Sequence, residues 1–377
     1  MKKLVWVSSY LPRACGIAFY SSNYVNSLKK YFKESNRNIE IKIIAHTDAD
    51  QADYPIIDLK NKNWDIKVLQ AIKKEKPDVV HIQHEYGLYE TYDDRNKKLL
   101  DLIQKIKNEN IKVVITFHSV FKKLNSEQAR FTGKVLNIID AGIVHEDYQK
   151  SSLKDNINYN PKNVFVLPHG SREDIKFEKH AIREEFGYSS QKLFVGAVGL
   201  ADERKGFDLL VKQWPKIVEK IPNAVLIFEL KPHHEKSTRE CLKKLLDLII
   251  YSPVFENIEF IVRDYSEPEL YKRLVSLDIL ALPYKEESQS GILAHGFSVG
   301  VPAIVTDIEG LGAEIKNSNA GIAVKKRSDF EKEIIKLLSS EKLRKEFSKN
   351  ALDYVKNKNG WNIIAEKTFK IYEDALS

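Results

Sequence analysis

Residues with chemistry to offer gather in a few short stretches of this 377-residue chain. In EESQSGILAHGFSVGVPAIVTD (286–307), Ser290 and Gly291 stand where a helix would begin, Gly300 would stop it, and Pro302 opens the next apolar run. A helix that opens on Ser-Gly presents unblocked backbone N–H groups to an anion. Glu287, just ahead, would repel a phosphate and is suited instead to accept hydrogen bonds from neutral hydroxyls. His295 lies one helical turn into the same segment. In VGLADERKGFDLL (198–210), Arg204 and Lys205 put two cations just before another helix start. Two joined phosphates suit that pocket, and phosphate together with hydroxyls describes a nucleotide sugar.

Other candidates stand at the ends of apolar runs. VVITFHSV ends in His118, and VVHIQHEYG carries His81, His84 and Glu85. Strand residues three apart face opposite ways, and the order is not HExxH, so His81 and His84 are not expected to share a metal ion. His84 and Glu85, at the strand end, read as groups lining a polar cleft. Gly16 follows the first apolar run, where a glycine serves either the close approach of a ligand or a plain tight turn. Asp48, Asp50, Asp93 and Asp94 read as loop acids. Cys15 and Cys241 fit no disulfide framework or metal-ligand spacing and read as reduced thiols.

These residues need a scaffold that brings strand ends together. LVWVSS (4–9), IEIKIIAH (39–46), VVHIQ (79–83), VVITFH (113–118), AGIVH (141–145) and NVFVLP (163–168) read as strands. Lysine-rich segments of helical period lie between several of them. Near-continuous Val/Ile runs alternating with helices predict a parallel sheet covered on both faces. Residues 169–191 break the rhythm, and it then starts again: LFVGAVG (193–199), AVLIFEL (224–230), NIEFIV (257–262), DILALPY (278–284), PAIVTD (302–307) and GIAV (321–324). The reading is two doubly wound α/β domains joined near 170–190, followed by helices from Ser328 onward. Ligands in such sheets bind beyond the carboxyl ends of the strands, where the candidate residues fall.

Composition agrees. At 43% hydrophobic and 30% charged residues the chain is globular in type, and its length suits two domains. No apolar run approaches the roughly 18–20 residues needed to span a bilayer. The first apolar run is too short and β-branched for a signal-peptide core, so a cytoplasmic location is expected. Net charge is +7, from 60 basic and 53 acidic groups. Lysine clusters at 67–76, 105–112 and 121–123 suit solvated helix faces, an anionic substrate or an acidic membrane surface. No motif points to nucleic acid.

Taken together, these segments resemble retaining glycosyltransferases of the GT-B fold, most closely glycosyltransferase family 4, also described as glycosyl transferases group 1. SYLPRACGIAFYSSNYV is similar to the family's first glycine-containing loop, and HIQHEYG and VITFHS to its strand-end histidine segments. FVLPHG resembles the end of its first domain, VGLADERKGFDLL its diphosphate loop, and ESQSGILAHGFSVGVPAIVTD its Glu-x7-Glu donor motif. The resemblance implies two Rossmann-like doubly wound domains facing a central cleft. The first, acceptor-side domain would span 1–175, the second, nucleotide-sugar-binding domain 176–355, and a last helix (356–377) would return to the first.

It further implies that Arg204 and Lys205 neutralise the diphosphate leaving group and Glu287 binds sugar hydroxyls. The backbone of Ser290, Gly291, Ile292 and Leu293 would hold phosphate, Gly16 would let its loop approach the donor, and His118 would lie against the transferred hexose. The base would rest against Ile261, Val262 and Arg263, and His84, Glu85 and Tyr86 would stand on the acceptor side. Transfer of mannose or glucose from a GDP- or UDP-sugar to a saccharide or lipid-linked acceptor is expected, without a metal and with retention. Peripheral contact with the cytoplasmic membrane face through the first domain is a further expectation. Two departures stand out. His295 takes the place of the motif's second Glu, which holds ribose hydroxyls, and Leu200 takes the place of an Arg. An epimerase or phosphorylase acting on sugar phosphates, or a donor-binding homologue without turnover, would fit the same segments. A nicotinamide dehydrogenase would need a glycine fingerprint that is absent.

Overall fold

A computed structural model describes residues 1–13, 15–89, 97–157, 162–232, 236–286 and 289–377. The chain divides into two compact units, 1–170 with 359–377, and 171–358. The first holds strands β1 (Lys3–Val7), β2 (Glu40–His46), β3 (Tyr54–Ile57), β4 (Val79–His84), β5 (Lys112–Phe117), β6 (Ala141–Val144) and β7 (Val164–Val166). Its helices are α1 (Gly16–Glu34), α2 (Trp64–Glu75), α3 (Tyr86–Tyr89), α4 (Lys97–Asn108), α5 (Ser126–Leu136) and α6 (Asp147–Ile157). The strands are parallel, in the order β3-β2-β1-β4-β5-β6-β7. Strand order reverses between β1 and β4, which places a ligand crevice beyond their carboxyl ends.

The second unit holds β8 (Leu193–Leu200), β9 (Ala224–Lys231), β10 (Ile258–Val262), β11 (Ile279–Leu282), β12 (Ala303–Thr306) and β13 (Gly321–Val324). Its helices are α7 (Lys179–Glu185), α8 (Asp208–Lys220), α9 (Lys236–Ile250), α10 (Glu267–Ser276), α11 (Gly291–Ser298), α12 (Glu309–Ser318), α13 (Phe330–Leu338) and α14 (Glu341–Tyr354). The sheet is again parallel, in the order β10-β9-β8-β11-β12-β13, with the reversal between β8 and β11. The last helix, α15 (Trp361–Leu376), packs on α1 in the first unit.

The buried pattern follows from the parallel sheets. All six residues of β4 are buried, as a strand covered on both faces requires. Alternate residues of β1 serve opposite faces: Val5 and Val7 join the core under α2 and α4, while Leu4 and Trp6 join the core with α1 and α15. Trp361, Ile364, Phe369 and Tyr372 of α15 complete that second core. Among the elements not expected from the sequence are an edge strand and two helices. β3 is a four-residue edge strand with a proline in it, which periodicity does not register. α5 begins at an Asn125–Gln128 capping box, and α7 sits inside the polar stretch read as a break. No helix among the described residues is long and apolar enough to cross a membrane.

Candidate active site

In the second unit, the loop beyond β8 and the loop beyond β11 meet at the reversal point. The first is one turn of 3-10 helix, Glu203–Lys205, whose start is capped by Asp202 accepting from the Arg204 N–H at 2.8 Å. The Arg204 guanidinium is also bound by Asp202, with its shortest contact at 2.7 Å. Burial raises the Asp202 pKa, but the hydrogen bonds from Arg204 outweigh it and hold the carboxyl below its usual value. Lys205 places Nζ 3.9 Å from the centre of the Tyr284 ring in the other loop. The Lys285 N–H donates to the Arg204 carbonyl at 2.7 Å, tying the two loops together.

Arg327, just beyond β13, fastens the pair from below. Its Nε donates to the Pro283 carbonyl at 3.1 Å and its Nη2 to the Gly206 carbonyl at 3.2 Å. Gly206 is left-handed, with φ of +62°, and an added Cβ would stand 2.2 Å from Arg327 Nη2 and 2.5 Å from the Pro283 oxygen. The sequence reading missed Arg327; nothing local in VKKRSDF marks it, because its partners lie more than forty residues away in sequence.

The loop beyond β11 leads into α11. Ser290 is its N-cap and accepts from the Leu293 N–H at 3.3 Å. The end of β8 lies close by, since a Cβ on Gly199 would meet Ile292 at 3.6 Å. The loop that carries the cations after β8 and the segment that leads into α11 therefore lie side by side. Glu287 lies outside the described residues, as do Asp93 and Asp94. His295 accepts from or donates to the Tyr271 hydroxyl through Nδ1 at 2.7 Å, and burial, with Arg172 nearby, pushes its pKa down to about 4. It is neutral at pH 7. Beyond β10, Ile261 and Arg263 are partly buried and Val262 is exposed, while the Arg263 side chain turns to Glu229 and Glu269, at 2.7 Å from each.

In the first unit, the carboxyl ends of β5, β6 and β7 bring histidines together. Thr116 pairs with Ile143 in register, so His118 and His145, two residues further on, share a face. Their ring centroids are 5.2 Å apart. His169 follows at 5.8 Å from His145. The Tyr20 ring of α1 stands among all three, at 4.7, 5.7 and 4.9 Å. The His118 Nε2–H donates to the Gln83 amide oxygen at 3.0 Å. Behind it the Gln83 amide nitrogen meets His81 Nε2 at 3.2 Å, and His81 Nδ1 meets the Tyr372 hydroxyl at 2.5 Å. Burial and the neighbouring imidazoles hold His118 well below its ordinary pKa.

His84 does not reach a polar surface. Its ring is buried against Tyr86, Phe117 and Phe131, and burial lowers its pKa to about 3. Glu85 accepts from the Ser119 hydroxyl. Gly16 is the first residue of α1, and a Cβ there would meet nothing within 4 Å. Its φ is not positive, so its backbone does not by itself call for glycine. The sequence reading took His118 but passed over His145, His169 and Tyr20. The signal was present: FH, VH and PH recur at three successive strand ends.

Residues 178–353 match the family model Glycosyl transferases group 1, and residues 21–173 match Glycosyltransferase Family 4. An uncharacterized glycosyltransferase of Methanocaldococcus jannaschii is 26% identical over 203 residues, 53% of this chain and 49% of that protein. The capsular polysaccharide biosynthesis glycosyltransferase CapM of Staphylococcus aureus is 24% identical over 322 residues, 82% of this chain and 80% of that one. Among solved structures, Anabaena HepE in complex with UDP matches with a TM-score of 0.73 at 12% identity, covering 99% of this chain and 100% of that one. The same protein with UDP-glucose matches at 0.71, 12% identity and 98% and 100% coverage. With the group 1 match on the second unit, the family 4 match on the first and this fold, the chain is a GT-B glycosyltransferase of the family 4/group 1 type.

Proposed function

We propose that this protein moves a hexose, mannose or glucose, from a GDP- or UDP-sugar to a hydroxyl of a saccharide or lipid-linked acceptor, with retention and without a metal. The observation that carries the donor reading is the apposition of two loops at the β8/β11 reversal. Arg204 and Lys205 lie on one and the other leads into the start of α11, with the Lys285–Arg204 hydrogen bond and the Lys205–Tyr284 contact tying the two together. That arrangement suits two phosphates. HepE, a structural neighbour, binds UDP and UDP-glucose.

In the transfer step the acceptor hydroxyl oxygen bonds to the sugar's anomeric carbon as the bond from that carbon to the diphosphate oxygen breaks. The hydroxyl proton passes to the departing phosphate. Lys205, Arg204 and the N–H groups from Ser290 to Leu293 stabilise the charge that builds on the diphosphate. Glu287 binds sugar hydroxyls, His295 lies toward the ribose, and the base rests on Ile261–Arg263. His118 lies against the hexose, Gly16 admits the donor to the first loop, and Glu85 and Tyr86 belong to the acceptor side, while His84 stands behind them in the apolar packing. The exposed lysines of α4 support peripheral contact with an acidic membrane surface. The experiment is release of nucleoside diphosphate from UDP-glucose and GDP-mannose, with and without saccharide acceptors, by the wild type and Lys205→Ala. Wild-type turnover lost in the variant supports the reading, and equal turnover in both sinks the site assignment.

A further inference from the structure

The environment of His145 has features that the glycosyl-transfer reading does not use. Its Nδ1 lies 3.0 Å from the Leu167 carbonyl oxygen. A carbonyl only accepts, so Nδ1 carries the proton and Nε2 is left as a bare lone pair. That Nε2 is buried and has no hydrogen-bond partner. A buried acceptor left unpaired costs free energy, so its partner is to be sought in a ligand or a bound water.

The ring is held in place from several sides. The backbone N–H groups of His145 and Glu146 both donate to the Gln149 side-chain oxygen, at 2.7 and 3.0 Å. Gln149 in turn donates to the Val120 carbonyl at 3.3 Å, joining the loops after β5 and β6. Tyr20, His118 and His169 surround the imidazole. A lone pair repels phosphate and carboxylate oxygens and calls for a neutral donor. The hydroxyls of a sugar supply such donors.

We propose that His145 is a sugar-binding residue of the first unit, its bare Nε2 accepting a hydrogen bond from a saccharide hydroxyl. This rests on the glycosyl-transfer reading above. The sugar is either the one transferred or the one that receives it, and the two give different responses.

The full chain is labelled with 15N in its histidine rings, and the His145 resonances are assigned by their loss in His145→Phe. The wild type should show Nδ1 protonated and Nε2 bare. It is then titrated with UDP and GDP, with UDP-glucose and GDP-mannose, and with methyl α-glucopyranoside and methyl α-mannopyranoside added to the nucleotide complexes. An Nε2 resonance that moves with a nucleotide sugar but not with its nucleotide assigns His145 to the donor sugar. Movement only on adding a methyl glycoside assigns it to the acceptor. In either case His145→Phe should weaken the responsive sugar ligand about tenfold, with nucleotide affinity unchanged. An Nε2 unmoved by every sugar, while nucleotide still binds, identifies a structural water and overturns the proposal alone. Failure of every nucleotide to bind removes the donor reading and this proposal with it.

Discussion

The Tyr271 hydroxyl lies 2.7 Å from Nδ1 of His295. The residue in the place of the donor motif's second acid is thus anchored to α10, and being neutral at pH 7 it adds no charge to the crevice. Its loss should remove about one hydrogen bond: His295→Ala is expected to weaken donor binding by about tenfold or less. Lys205→Ala, which removes a cation from the leaving group, should cost about a hundredfold or more in turnover. Donor titration and initial rates on the two variants check the ranking; equal losses would contradict it.

Arg327 touches no proposed ligand, yet it holds both loops of the crevice. Arg327→Met should leave the second unit folded while raising the donor dissociation constant about tenfold, because the loops lose their common fastening. Gly206→Ala should instead destabilise the unit by on the order of 2–3 kcal/mol, since it combines a left-handed backbone with a collision against a backbone oxygen. Denaturant titration separates the two effects.

Gly16 gives the opposite pattern. Open space surrounds its missing side chain, and it sits in helical backbone, so Gly16→Ala should change stability by no more than about 0.5 kcal/mol. Transfer should nevertheless fall, because a methyl group would stand where the donor approaches. A Gly16→Ala protein with full activity would remove this loop from the site.

The buried imidazoles predict how the first unit responds to pH. His81, His84 and His145 are pushed down to about 3 by burial, and His118 lies well below its ordinary value. The unfolded chain protonates all four near pH 6.5, so below that it binds protons the folded state refuses, and stability falls with falling pH. Each contributes about 1.4 kcal/mol per pH unit, on the order of 5 kcal/mol in all between pH 6 and 5. Glu146 has the opposite sign. Burial, with Asp147 beside it, raises its pKa to about 8, so from about pH 4.5 to 8 the folded state holds a proton the unfolded state releases, and stability falls as pH rises. The first unit should be most stable near pH 7, and Glu146→Gln should flatten the loss toward pH 8. Urea titrations at about pH 5, 7 and 8 check this. A Trp214→Phe background leaves tryptophans only in the first unit, so fluorescence follows that unit alone.

Much of this scaffold could be read from the sequence because parallel strands buried on both faces write themselves as Val/Ile runs. LVWV, VVHIQ, VVITF and AVLIFEL are such runs, and all became strands. The edge strand YPII carries no such pattern and was missed. Ser290 as a cap was legible for the same local reason: a Ser-Gly pair before an apolar helix. The strand-end positions of His145 and His169 were legible too, but the fastening by Arg327, the Tyr284 ring against Lys205 and the packing of Tyr20 among the histidines were not, because they depend on which strands become neighbours. Strand order is a property of the folded sheet, and no spacing along the chain encodes it.

The central claim is that the crevice between β8 and β11 holds a nucleoside diphosphate. Isothermal titration of the full chain with GDP, UDP, ADP and dTDP, each with and without its sugar, tests it most directly, with Lys205→Ala as the control. The account predicts saturable binding of one nucleotide series by the wild type and its loss in Lys205→Ala. Binding of none, or undiminished binding by the variant, would contradict it.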